Sequence, residues 1–81
     1  MDFDHNDKSI FFVCNKQFKA VINCGDLITC RCNSSEIAAK VIGINNGTYT
    51  AIVVSTDSDL EFLIDTQIQI PLNAIFVVEK C

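Results

Sequence analysis

From Leu27 onward, apolar and polar residues alternate over several short stretches, the pattern of strands that bury one face. Leu27 to Cys32 puts Ile28, Cys30 and Cys32 on one face and Leu27, Thr29 and Arg31 on the other. Ala39 to Thr56 holds Asn46-Gly47 between two apolar, β-branched runs, the strongest short-range signal for a hairpin. A type I′ turn there needs positive φ at both central residues, which asparagine tolerates and glycine adopts freely. A two-residue loop pairs Asn45 with Thr48, Ile44 with Tyr49 and Ile42 with Ala51, and it puts Val41 and Ile52 on the opposite face. After an acidic turn at Asp57-Ser58-Asp59, Leu60, Phe62 and Ile64 alternate with Glu61, Leu63 and Asp65, which predicts a further strand. Gln67 to Leu72 points Ile68, Ile70 and Leu72 inward. Pro71 lacks an N–H and belongs at an edge or a strand end. A short turn at Asn73-Ala74 leads into the last strand, Ile75 to Glu79.

Two segments fit either period. Ser9 to Asn23 gives two strands, S-I-F-F-V-C and Q-F-K-A-V-I-N, with a turn near Asn15-Lys16. As a helix it aligns Ile10, Val13, Cys14, Phe18, Val21 and Ile22. Asn33 and Glu36 have capping-box spacing ahead of a helical stripe of Ile37, Ala38, Val41 and Ile42, whereas the strand reading runs straight into the hairpin. Two phenylalanines beside β-branched neighbours favour strands in the first, and the strand is also the favoured reading of the second. The expectation is an all-β, mainly antiparallel domain over 9–81, a barrel or sandwich of five to seven short strands. The alternative is α+β, with a helix at 34–44 or 9–23. Residues 1–8 hold three acids, a histidine and little to pack, which predicts a flexible acidic tail.

Eighty-one residues suffice for one core, and 49% apolar content excludes disorder. Six basic against ten acidic residues give a net charge of −4, with Arg31 the only arginine, which disfavours generic nucleic-acid binding. The acidic N-terminus is no signal peptide and no apolar run would span a bilayer, so a cytoplasmic protein without a membrane partner is expected. Five cysteines in a reducing compartment are free thiols, several acting as small core hydrophobes.

From Gly25 to Glu79 the order of elements resembles small SH3-like or Sm-like barrels. G-D-L-I-T-C-R-C supplies the opening strand, A-K-V-I-G-I turns into T-A-I-V-V-S-T, and I-P-L-N-A-I precedes the closing F-V-V-E-K. The resemblance implies a fold, and it carries over no functional residue.

Candidate chemistry is sparse. Cys24, Cys30 and Cys32 lack the paired knuckles of a zinc site, and His5 sits in the tail, so no metal, cofactor or catalytic residue is expected. Asp57, Asp59, Glu61 and Asp65 share one parity and would line one strand face, either as a solvated edge or as a dock for a basic protein. Both hairpin faces are apolar at the centre, so Val41 and Ile52 need a cover from the N-terminal segment or a second subunit, which makes a homodimer the expected assembly. The leading expectation is a non-enzymatic protein-interaction module of the adaptor or inhibitor type, such as mobile elements encode. The runner-up is an Sm-like nucleic-acid or small-ligand binder, which a basic groove of Lys16, Lys19, Arg31 and Lys40 would mark.

Overall fold

The computed structural model describes residues 2–13 and 21–80. Strands β1 (Phe11–Val13), β2 (Leu27–Cys32), β3 (Ser35–Asn45), β4 (Thr48–Thr56), β5 (Gln67–Pro71) and β6 (Ile75–Glu79) form one mixed sheet in the order β1-β6-β2-β3-β4-β5. The β1–β6 ladder is parallel and the others are antiparallel. Ser58–Leu63 and Leu72–Ala74 are 3-10 turns. The fold is all-β, and 34–44 belongs to a strand. Asn33 and Ser34 form the β2–β3 turn with φ of 51° and 69°, so Asn33 caps no helix. In the other ambiguous segment Phe11–Val13 is a strand, while residues 14–20, with Cys14 and the turn expected at Asn15-Lys16, lie outside the described residues.

Among the described residues there is one sheet and no second layer, and such a sheet can bury a face only by curling. A flat six-stranded sheet would be roughly 24 Å wide and one layer thick, whereas the chain measures 35 × 25 × 25 Å. Irregularities at Thr29/Cys30, Ala38/Ala39 and Val41/Gly43 break the ladders where β2, β3 and β4 must bend. The concave side collects Ile28, Cys30, Ile37, Ala39, Val41, Ala51, Val53, Ile70, Ile75 and Val78, all buried. Each isoleucine there contributes about 1.5–3 kcal/mol of burial.

The bulge at Val41/Gly43 corrects the expected hairpin register. Asn45–Thr48 and Ile44–Tyr49 pair as predicted, but Ala51 pairs with Val41, and Ile42 is the extra residue. Val41 is therefore 1% exposed in the core beside Ala51, while Ile42 is half-exposed. Ile52 pairs with Lys40 and Gln67 and is half-buried. A single inserted residue exchanged the faces of the hairpin from that point on. At the far edge, Ile70 is buried and Pro71 ends β5 as expected, but Leu72 enters the 3-10 turn and is exposed.

Remote polar contacts fix the ends of the sheet. Residues 2–8, expected to form a free tail, are hydrogen-bonded to the sheet. Asp4 N donates to Arg31 O (2.8 Å), and Asn6 donates to Asn73 O and, through its side chain, to Ile75 O (2.7 Å each). The Asp4 carboxylate accepts both N–H groups of the Asn33-Ser34 turn, at 3.1 and 2.7 Å. Across the sheet, the buried Asp26 accepts from Asn23 N at 2.8 Å and pairs with Lys80, whose ammonium also reaches Val21 O. Those extra hydrogen bonds are what make a nearly dry ion pair tolerable.

Candidate functional site

The most distinctive surface lies where β4 leaves the sheet. Asp57 N donates to Glu36 O (3.1 Å), and the Asp57 carboxylate accepts from Glu36 N (3.0 Å), so one residue meets both backbone groups of β3. Asp59 accepts from Ser35 Oγ at 2.7 Å. Downstream, Asp65 N donates to Val53 O and Val53 N donates to Thr66 O, while Thr66 closes the turn on Leu63 O. Asp65 takes a φ of 70°, a conformation that asparagine and aspartate adopt more readily than other side chains.

This turn corrects the strand expected over 60–65. The turn is two short 3-10 pieces joined by a kink at Leu60, whose φ of −119° and ψ of 15° are not helical. Leu60 and Leu63 pack on the core, and Phe62 is turned away from it, 74% exposed, followed by the exposed Ile64. Asp57, Asp59, Glu61 and Asp65 do not line a strand face. They are all exposed and surround the turn, with Asp57 and Asp59 holding it against β3. Val54, exposed and next to the Val53 that binds Asp65 and Thr66, adds a third apolar side chain at this end of the sheet. Sequence reasoning found the carboxylates and missed Phe62. The signal was there, in the pair Leu60 and Leu63 three residues apart.

Beside Asp57 the surface sinks into a pocket of about 110 Å³ lined by Thr29, Glu36, Ala38, Ser55, Thr56 and Asp57. Its polar lining is hydroxyls and carboxylates. Thr56 Oγ1 is shielded from solvent there and has no hydrogen-bond partner. A larger apolar hollow, about 530 Å³, is lined by Ile10, Phe12, Ile22, Tyr49 and Leu72 and bounded by Val21, the first described residue after the segment 14–20.

The other expected chemistry is dispersed. Of the basic groove, Lys16 and Lys19 lie outside the described residues. Arg31 stacks over Phe76 at 4.7 Å and pairs with Glu36 at 3.6 Å, while Lys40 lies opposite Leu27, roughly 13 Å along β2. Cys30 is buried and Cys32 half-buried on β2, and Cys24 is exposed. Burial, reinforced by the neighbouring Cys32, pushes the Cys30 thiol from 9.0 up to about 12, so it behaves as a small hydrophobe. Cys14 and Cys81 lie outside the described residues. Among the described residues no cluster of His, Cys, Asp or Glu is arranged to hold a metal ion. No helix among them is long and apolar enough to cross a membrane.

No protein-family model matches the chain, and comparison with curated proteins and with solved structures returns no match. What defines it is its own geometry: a small all-β domain that displays a pinned, acidic turn with an outward phenylalanine.

Proposed function

We propose that this chain is a non-enzymatic interaction module that works by protein–protein contact through the turn 57–65. The observation that carries the reading is Phe62, exposed on a turn that is hydrogen-bonded to β3 at one end and to β4 at the other. An aromatic side chain on a fixed backbone loses little conformational entropy when it is covered, which is the character of interface anchors. The hairpin face supports contact less well, because Val41 is consumed by the core and Ile52 is half-buried.

A photoreactive phenylalanine analogue placed at position 62, and separately at the exposed Ile44 on the hairpin, tests this in cells of the source organism. A discrete adduct from position 62 and none from position 44 is the expected result. Adducts from position 44 alone, or from neither, would remove the basis for the reading.

A further inference from the structure

We infer that the occupant of this surface is a basic protein segment, one that lays an apolar side chain on Phe62 and Ile64 and seats an arginine or lysine head in the pocket beside Asp57. The inference rests on the interaction reading above and adds the partner's chemistry. Between Asp57 and Asp65 there are four carboxylates and no lysine or arginine. A second copy would bring the same acidic turn, and a nucleic acid would bring phosphates. Both are repelled, whereas a cationic segment is steered toward the surface.

The pocket supplies an observation of a different kind. Thr29, Glu36, Ala38, Ser55, Thr56 and Asp57 line it, no lysine or arginine is among them, and the Glu36 carboxylate is paired with Arg31 at 3.6 Å. A carboxylate offers only acceptors, and a hydroxyl can accept as well as donate, so the lining suits a head rich in donors. An ammonium has three donors and a guanidinium five, with no acceptor in either. A buried hydroxyl left without a partner is costly, and Thr56 Oγ1 is such a group. That oxygen is closed off from the pocket's open space, so the pocket's exposed acceptors are the groups a cationic head would meet. The pocket's size matches the end of one side chain and nothing larger.

The test is an NMR titration of the ¹⁵N-labelled chain with three synthetic dodecapeptides: one alternating arginine and leucine, one with glutamate replacing arginine, and one with serine replacing leucine. The arginine–leucine peptide is expected to shift the amides of 57–65 together with those of Thr29 and Glu36, and to bind about tenfold more weakly when salt is raised well above physiological strength. Glu36→Gln, which removes a carboxylate from a lining residue and leaves the backbone bonds of Glu36 to Asp57 in place, is expected to weaken that peptide roughly three- to tenfold. Equal binding of the glutamate peptide, or shifts confined to other strands, would overturn the inference. If the glutamate peptide binds at 57–65 and Phe62→Ser abolishes it, the basic partner is wrong and the interaction surface stands. If no peptide binds and position 62 gives no photoadduct, the interaction reading fails with it.

Discussion

The two hairpin turns on either side of β3 reach the same backbone geometry by different means. Asn46-Gly47 has φ of 48° and 81°, and its residues are those that tolerate the left-handed region, so its geometry is set locally, with one remote backbone bond, from Leu72 N to Gly47 O at 3.0 Å, added to it. Asn33-Ser34 takes φ of 51° and 69° without a glycine, and a serine there is strained. Its two N–H groups are held by the carboxylate of Asp4, 29 and 30 residues away in the chain. The Gly25-Asp26 turn is a third variant, closed by its own carboxylate and then fixed by Lys80. A turn is thus local or remote in its support, and only the local kind announces itself in sequence.

Perturbations of graded size break or sharpen that contrast, each read by urea unfolding under reducing conditions at constant m-value. The largest effect belongs to Asp26→Ala, which leaves the Lys80 ammonium nearly buried and unpaired and should cost about 3–5 kcal/mol. Alkaline pH supplies a perturbation of the core through Cys30. Cys30 keeps its proton in the folded state up to about 12, and the unfolded thiol loses it above 9.0. Stability is therefore at its full value below pH 9 and falls as pH rises toward 12, with a slope approaching about 1.4 kcal/mol per pH unit; Cys30→Ala should flatten that slope. Asp4→Ala should cost about 1–2 kcal/mol by removing two charge-assisted hydrogen bonds from Asn33-Ser34. Gly47→Ala should cost about 1 kcal/mol, because alanine at a φ of 81° is strained even though the space is open. Ser34→Gly should be the smallest change, a gain of roughly 0.5 kcal/mol, and it should recover part of the Asp4→Ala loss. Equal cost of Asp4→Ala with and without Ser34→Gly would mean that Asp4 acts elsewhere.

The same distinction explains what the sequence made legible. Strands β2, β4 and β5 follow a period of two between recognisable breakers, β6 is an apolar run after the Asn73-Ala74 turn, and Asn46-Gly47 carries the residues its turn needs. Leu60, Phe62, Leu63 and Ile64 satisfy two periods at once, so the contest between strand and 3-10 turn was decided by the backbone bonds of Asp57 and Asp65 to β3 and β4. The bulge at Ile42 leaves no mark beyond a permissive Gly43. The Asp4 and Lys80 contacts join residues far apart in the chain, and no window of local sequence contains both partners. Of the candidate surface the four carboxylates were visible early. Phe62 was not, because its exposure depends on which period wins.

The position of β6 carries a consequence for how the chain is made. It lies between β1 and β2, the first two strands, yet it leaves the ribosome after every other strand. Until it arrives, β1 has no ladder partner among the described residues and β2 shows an open edge, so the incomplete sheet exposes backbone donors and acceptors. The hairpins of β2, β3 and β4 can close during synthesis, since their partners are near in sequence. Completing the sheet therefore means fitting β6 between β1 and β2, with one parallel and one antiparallel seam.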